Sequence, residues 1–327
     1  MLREIAGVRQ DQAELRRRWF QDDYLDLFVW LDRSGKTTGT IGRAGATYDN
    51  LALSPDLQRL AVAEQEENDP GDIWIFDLAR GTSTRFTFDR ANDNDPVWSP
   101  DGNKVVFASE RGSGRLNLFQ KDAGGAGTEN VLLKSDHIQV PEDWSADGRF
   151  VLLRDVDPKN GADLWVLPMN GDPKPQPYLR SPFSETQARF SPNGRWVAYV
   201  SDESGRSEVY VQSFPASTRK YPVSSDGGTQ PRWRGDGKEL FFLTGRLAVR
   251  RTVAVAEVSE AADTLRIGAQ RALFETPVRT GMRARSGWEV TPDGQRFLVI
   301  APLQDATAVN RPITVMVNWM SGIAPGR

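Results

Sequence analysis

Short apolar segments alternate with polar turns along most of the chain, and one such arrangement returns six times. The copies are LALSPDLQRLAVAEQ from Leu51, PVWSPDGNKVVFASE from Pro96, PEDWSADGRFVLLRD from Pro141, ARFSPNGRWVAYVSD from Ala188, PRWRGDGKELFFLTG from Pro231 and WEVTPDGQRFLVIAP from Trp288. Their equivalent positions lie 45, 46, 46, 43 and 57 residues apart, at Ser54, Ser99, Ser145, Ser191, Arg234 and Thr291. A period of this size is typical of the blades of a β-propeller.

Each copy predicts a β-hairpin. In Ser-Pro-Asp-Gly, proline presets φ for the first turn position, aspartate accepts local backbone hydrogen bonds and glycine supplies a positive φ. An apolar strand follows each turn, and two further segments with strand character fill most of the interval before the next copy. Four strands make one blade. The sequence therefore predicts an all-β fold, a six-bladed propeller of four-stranded antiparallel blades, with seven blades as the alternative.

The two ends of the chain are expected to close the ring. Blade six takes its inner strands from Trp288 onward and a third strand from residues 312–320, and the hairpin at residues 25–42 is expected to complete it. The alternative is that this hairpin is a remnant of a seventh blade. The propeller would then span residues 25–327, after a short helical extension at 1–24, where apolar residues recur at roughly helical intervals.

The amino-acid composition excludes several classes of partner and site. The chain has 41 Lys and Arg against 44 Asp and Glu, so it lacks the basic excess of a nucleic-acid binder. It has no cysteine, which excludes disulfides and thiolate ligands, and its one histidine, His137, excludes a His-rich metal site. No segment resembles a secretory signal or a membrane span. We therefore expect a soluble monomer that is cytoplasmic and binds no nucleic acid.

The repeats resemble the WD-like repeats of the TolB-like propellers. Stretches such as DIWIFDLARGTSTRFTFD from Asp72, RFSPNGRWVAYVSDESGRSEVYVQSFP from Arg189 and RPITVMVNW from Arg311 look more narrowly like the carboxyl-terminal sensor propeller of bacterial serine/threonine protein kinases. The resemblance covers residues 27–320. It implies a module that binds proteins or small ligands, and a periplasmic or extracytoplasmic location. Kinase activity does not carry over, because the Gly-rich, His-Arg-Asp and Asp-Phe-Gly motifs are absent from the sequence.

Catalytic alternatives have weaker support in the residues. Propellers accompany the hydrolase domain of prolyl oligopeptidase-type serine peptidases, but the chain has no Gly-x-Ser-x-Gly elbow. A second alternative is an enzyme with a divalent metal at the channel mouth, held by Asp93, Asp95 and Glu142, because hard cations prefer such oxygen ligands. The favoured interpretation is a non-catalytic sensor or scaffold module without catalytic residues, metal or cofactor.

The partner is expected on the side of the ring opposite the Ser-Pro-Asp-Gly turns. There the connections between blades and the loops between second and third strands are polar and differ from blade to blade, and recognition on repeat scaffolds commonly uses such loops. Two glutamines and two arginines flank the inner strands and are expected to face the central channel or its rim: Gln187, Gln230, Arg232 and Arg234. The candidate partner-binding residues are Asp93, Asp95, His137, Glu142, Gln187, Asp202, Glu203, Gln230 and Arg232. The repeated tryptophans are expected to be core.

Overall fold

Six four-stranded antiparallel sheets, one with an extra strand, form the described part of the protein in a computed structural model. The structure describes residues 26–42, 47–66, 69–112, 114–171, 173–216, 219–245, 251–261, 264–276, 278 and 286–302. These residues contain strands but no helix, and accordingly no helix able to cross a membrane. The helical extension predicted at 1–24 and the strand predicted at 312–320 lie outside the described residues. The six-bladed, all-β prediction is confirmed.

Blades one to four follow the chain without interruption. Blade one contains β3 (Thr47–Leu53), β4 (Arg59–Glu66), β5 (Asp69–Asp77) and β6 (Thr82–Arg85). Blade two contains β7 (Asp93–Trp98), β8 (Lys104–Ser109), β9 (Asn117–Asp122) and β10 (Asn130–Leu133). Blade three contains β11 (Ile138–Trp144), β12 (Phe150–Asp157), β13 (Gly161–Pro168) and β14 (Gln176–Leu179). Blade four contains β15 (Glu185–Phe190), β16 (Trp196–Ser201), β17 (Glu208–Ser213) and β18 (Lys220–Pro222).

Blade five carries the extra strand. It contains β19 (Thr229–Trp233), β20 (Glu239–Thr244), β21 (Arg251–Ala261), β22 (Thr264–Ile267) and β23 (Arg271–Thr276). The long β21 pairs with β23 along its first half and with β22 along its second half. This added hairpin accounts for the 57-residue spacing between the fifth and sixth copies of the repeat.

Blade six joins the two ends of the described chain. Its sheet order is β2-β1-β25-β24, built from β1 (Asp26–Asp32), β2 (Thr37–Ile41), β24 (Trp288–Val290) and β25 (Arg296–Pro302). The register of β1 on β25 runs without a shift from Asp26 opposite Pro302 to Asp32 opposite Arg296. Among the described residues the strand beside β25 is β1, so the hairpin at 25–42 supplies the third and fourth strands of this sheet. The sequence pattern assigned the third strand to residues 312–320, which lie outside the described residues.

The core lies between blades. Each of six buried apolar clusters combines residues from two neighbouring blades, as where Phe241 of blade five packs edge-on against Phe297 of blade six with ring centroids 5.4 Å apart. The innermost strands also contact one another around the ring, from β3 through β7, β11, β15, β19 and β24 back to β3. A single blade cannot bury its own faces, so ring closure completes the core.

The turns between first and second strands share one design. In five of the six, the Ser or Thr hydroxyl donates to the carboxylate or amide oxygen two residues later, as from Ser99 to Asp101 at 2.5 Å. Glycine follows with a positive φ, for example Gly102 at 70°. In the first copy Leu57 occupies that place and still adopts a φ of 60°. We call the side of the ring that carries these turns the hairpin face.

Candidate functional site

The opposite side of the ring is called the loop face. It carries the connections between blades at 86–92, 134–137, 180–184 and 223–228, and the second-to-third strand loops at 110–112 with 114–116, 158–160 and 202–207. Successive strands alternate in direction, so all of these segments must lie on one side and the hairpin turns on the other. The candidate residues predicted from the sequence divide between this face and the central channel.

Every inner strand except β24 contains a register shift two to five residues before its hairpin turn. In three of these bulges the residue four positions before the turn has a left-handed backbone, with φ of 53° at Asp95, 57° at Gln187 and 53° at Gln230. Such bulges redirect a side chain that an unbroken strand would aim elsewhere.

The redirected amides connect neighbouring inner strands. The Gln187 side-chain oxygen accepts the Gln230 backbone N–H at 2.7 Å, and the Gln230 side-chain oxygen accepts the Gly287 N–H at 3.0 Å. The oxygen of Asn50 accepts the Ser286 N–H at 2.9 Å. These bonds join blades four, five, six and one, so the side-chain oxygens of Gln187 and Gln230 are already hydrogen-bonded to neighbouring inner segments.

Four charged residues occupy one repeat position, two residues before the hairpin turn, in blades three to six: Asp143, Arg189, Arg232 and Glu289. The Arg232 Nε lies 2.9 Å from a Glu289 carboxylate oxygen, and Arg232 Nη2 donates to Ser286 Oγ at 2.5 Å. The Phe190 backbone N–H donates to Asp143 at 2.7 Å. Sequence reasoning selected only Arg232; the shared offset from the turn would have identified the other three.

Burial shifts the pKa values of two of these four charged residues. It raises the pKa of Asp143 from 3.8 to about 6, although the nearby Arg189 guanidinium acts in the opposite direction. Burial, followed by repulsion from Arg189, lowers the pKa of Arg232 to about 10. The ionised form of Asp143 is therefore less favourable in the folded protein than in water.

We expect Asp143→Asn to change stability in a pH-dependent way. The pKa of Asp143 is raised from 3.8 to about 6 in the folded protein, so folding favours its protonated form. The resulting contribution to stability is complete below pH 3.8 and is lost as the pH rises through about 6. The free energy of unfolding of the variant, relative to the native chain, should therefore be highest near pH 7 and decline towards pH 4. Urea unfolding at both pH values measures this difference.

Asp236→Asn is the matched control for that series. The Arg234 side chain lowers the pKa of Asp236 to about 2, so its stabilising contribution is present above 3.8 and lost only as the pH falls through about 2. This variant should be less stable than the native chain at pH 7. A relative stability of Asp143→Asn that stays constant from pH 4 to pH 7 would contradict the raised pKa.

Two of the three acidic residues proposed as metal ligands lie beside arginines. Asp93 is fully buried, and its carboxylate accepts a hydrogen bond from Arg111 of the same blade. Glu142 lies 3.7 Å from Arg154, between a carboxylate oxygen and Nη1. Asp95 is buried in its bulge. Across the described residues, no three His, Cys, Asp or Glu side chains form a group able to hold a metal ion.

Three other candidates lie on the loop face. His137 Nδ1 is 2.6 Å from an Asp155 carboxylate oxygen, and this contact raises the pKa of the histidine. Asp202 is exposed and accepts the Ser184 backbone N–H at 2.9 Å. The Glu203 carboxylate accepts a hydrogen bond from Lys220. Asp202 and His137 are thus accessible to a partner, whereas Asp93, Asp95 and Glu142 are buried.

Exposed apolar side chains are the feature that sequence reasoning missed. Four large ones are exposed in the described residues, and three of them, Phe88, Ile138 and Phe183, are 63%, 38% and 42% exposed on the loop face. Phe88 lies in the connection between blades one and two, and Phe183 lies in the connection between blades three and four. Ile138 is the first residue after the connection between blades two and three. An apolar residue in a polar inter-blade segment was the signal available in the sequence.

Similarity to known proteins is consistent with this architecture. Residues 36–164 match a family profile described as TolB beta propeller domain. A segment of 105 residues is 29% identical to the uncharacterised peptidase YuxL of Bacillus subtilis (strain 168), and this match covers 31% of the chain but only 16% of that protein.

Solved structures extend the likeness over most of the chain. A putative TolB from Agrobacterium tumefaciens superposes with a TM-score of 0.68 at 16% identity, covering 85% of this chain and 98% of that one. TolB from Acinetobacter baumannii superposes with a TM-score of 0.58 at 16% identity, covering 85% and 64%. At these identities the likeness concerns the fold. The chain is a six-bladed β-propeller whose fold resembles that of the TolB proteins.

Proposed function

We propose that this propeller is a non-catalytic binding module that holds a protein partner against its loop face. The observation that carries the proposal is the placement of Phe88, Ile138 and Phe183, one at each of three successive blade junctions. Large exposed apolar side chains that recur on one face mark interaction sites more often than isolated ones do. Interfaces typically combine a few such apolar anchors with a charged rim.

Charged residues lie near the three exposed apolar side chains, as expected for the rim of a protein interface. Asp202 is exposed beside the connection that carries Phe183, and His137 precedes Ile138 in the chain. The second-to-third strand loops add further charges that differ between blades, which supports selection of one partner rather than a general attraction. The TolB-like fold supports the same role, since it supplies a rigid ring on which loops can vary.

A capture experiment tests the proposal. The immobilised chain is exposed to lysate of its source organism, and bound proteins are quantified by mass spectrometry. We expect a specific protein whose capture falls at least tenfold in the triple variant Phe88→Ser, Ile138→Ser and Phe183→Ser. A protein anchored by three apolar side chains would lose several kcal/mol of binding free energy, and each 1.4 kcal/mol is a factor of ten.

The control changes the hairpin face. Lys104→Glu with Lys238→Glu alters two exposed residues next to the hairpin turns and should leave capture and the melting temperature unchanged. Loss of capture in this control together with retention in the triple variant would place the binding surface on the hairpin face instead.

The match to YuxL supports a second candidate, a propeller that accompanies a peptidase domain located elsewhere. The same capture experiment separates the two candidates. A captured protein that reacts with a fluorophosphonate probe for serine hydrolases would favour the accessory role. The narrower resemblance to the sensor propellers of bacterial kinases supports a further proposal, that partner binding reports a signal.

A further inference from the structure

An open cavity of about 570 Å³ lies on the loop face, where the connection from blade three to blade four begins. It is lined by Lys159, from the loop between β12 and β13, and by Arg180 and Pro182, from the connection into β15. Pro182 directly precedes the exposed Phe183 in the chain. The volume falls within the range of about 300–1,000 Å³ that is typical of ligand pockets.

The accessible charges of this cavity are basic. Lys159 is exposed, and the side chain of Arg180 is 53% exposed. One acidic residue, Asp163, also lines the cavity, but it is 4% exposed and one of its oxygens lies 3.3 Å from Arg180 Nε. An acidic ligand group would therefore meet two cations and a carboxylate that is buried and already paired.

The carboxylates of the adjoining cavity have donors of their own. That cavity shares Arg180 and Ser181 with the larger one and is also lined by Glu185 and Glu203. Glu203 accepts a hydrogen bond from Lys220. Glu185 is 4% exposed and accepts a hydrogen bond from Ser181 Oγ at 2.5 Å. Arg180 is thus not needed by either of these two carboxylates.

Arg180 is fixed by contacts on one side of its guanidinium. Its Nε lies 3.3 Å from Asp163, and the guanidinium stands over the Trp165 ring at 5.7 Å from the ring centre. Its two Nη groups make no hydrogen bond to the described residues. A planar guanidinium held in this way can donate two parallel hydrogen bonds to a carboxylate and loses little conformational freedom in doing so.

The comparable arginine of blade one is used within the fold. Arg85 also lies three residues before the exposed phenylalanine of its connection, and it also pairs with an aspartate of a third strand, Asp72. There Nη2 donates to Asp72, and Nε donates to the Thr87 carbonyl at 2.9 Å. In blade three it is Nε that meets the aspartate, so both Nη groups of Arg180 remain available to a ligand.

We propose that this cavity binds the carboxylate of a glutamate or aspartate side chain in a protein segment held on the loop face. The Nη groups of Arg180 donate to its two oxygens, and the Lys159 ammonium supplies a second positive charge. Because Pro182 leads directly into Phe183, an apolar side chain next to the acidic one is placed to contact that anchor. The inference rests on the proposed function and narrows the partner to one with an acidic residue beside an apolar one.

Titration of the unaltered chain with acetyl-glutamyl-phenylalaninamide tests the site. Ligand-observed NMR is run at pH 7 and constant ionic strength, with acetyl-glutaminyl-phenylalaninamide and sodium acetate as the comparison probes. We expect saturable binding of the glutamate peptide, about tenfold or more tighter than that of either comparison probe. The glutamine peptide keeps the shape without the charge, and acetate keeps the carboxylate without the apolar neighbour.

Two variants then locate the site. Lys159 has no ion pair among the described residues, so Lys159→Gln should fold normally and bind the glutamate peptide about threefold or more weakly. Arg180→Lys keeps the charge but loses the paired donors, and we expect binding about fivefold or more weaker. The matched control is Lys134→Gln, which removes an exposed lysine from the preceding connection of the same face and should change the affinity less than about twofold.

The site and the proposed function can fail separately. The carboxylate site is overturned if the glutamate peptide does not bind saturably, if the glutamine peptide or acetate binds as tightly, or if either cavity variant binds with unchanged affinity. Charge-dependent peptide binding without a captured protein that depends on Phe88, Ile138 and Phe183 would support the carboxylate site and contradict the proposed function alone.

Discussion

A chain that lacks residues 1–42 should not fold to a stable monomer. The deletion removes β1 and β2, which are the third and fourth strands of blade six. Phe28, Val29 and Leu31 of β1 are buried between that blade and its neighbours. Each such side chain contributes about 1.5–3 kcal/mol on burial. Their joint loss is comparable to the whole stability of a typical domain, about 5–15 kcal/mol.

The deletion also exposes a strand edge. The full length of β25 is paired with β1 in the intact protein, and its unpaired backbone groups would become a template for association. Size-exclusion chromatography and circular dichroism should therefore show oligomers or an unfolded chain. A deletion of residues 1–24 alone is the control, because it keeps both strands, and it should remain folded. If the longer deletion yields a monomer with an unchanged melting temperature, closure by β1 is not needed for stability.

Trp98→Ala should lower the free energy of unfolding by about 3–5 kcal/mol, the range for emptying a large aromatic core site. The residue is 6% exposed within the cluster between blades one and two, and its indole N–H donates to the Ala52 carbonyl at 2.9 Å. The Arg59 guanidinium lies 4.6 Å from the ring centre. The substitution thus removes apolar burial, a hydrogen bond and a cation–π contact together. Chemical denaturation gives the value.

Two further substitutions separate the causes of the lost stability in Trp98→Ala. Trp98→Phe keeps most of the apolar volume but loses the indole donor, so a smaller loss of about 1–2 kcal/mol is expected. Trp233→Ala, at the equivalent position of blade five, should cost less than Trp98→Ala because Trp233 is only half-buried. Equal losses at the two positions would mean that burial does not set the cost. A loss of unfolding free energy below about 1 kcal/mol for Trp98→Ala would show that this side chain is not part of the core.

The sequence predicted only part of the candidate binding surface on the loop face. Side chains such as Asp93 and Glu142 are acidic and lie near polar loops, which is why the sequence favours them as partner or metal contacts. In the structure both are buried and lie beside arginines, Arg111 and Arg154. A linear pattern shows that a carboxylate is present but not which cation lies opposite, because Arg111 and Arg154 belong to other segments of the same blade.

The sequence by itself determined the repeat and the hairpin turns, because each depends on residues close together in the chain. It left six and seven blades open, and the pairing of β1 with β25 completes the sixth blade. A Ser-Pro-Asp-Gly turn needs only its own four residues to reverse direction. Even the departure at Leu57 keeps the same backbone conformation as the glycines it replaces. Residues with local partners are therefore the ones that sequence reasoning placed correctly.

Only the tertiary structure decided which residues meet across blades. Gln187 and Gln230 are 43 positions apart, yet a bulge in each strand aligns one side chain with the backbone of the next. β1 and β25 pair although more than 260 residues separate them along the chain. The exposure of Phe88 likewise depends on how neighbouring blades pack. Such contacts follow from closing the ring, which no local sequence pattern specifies.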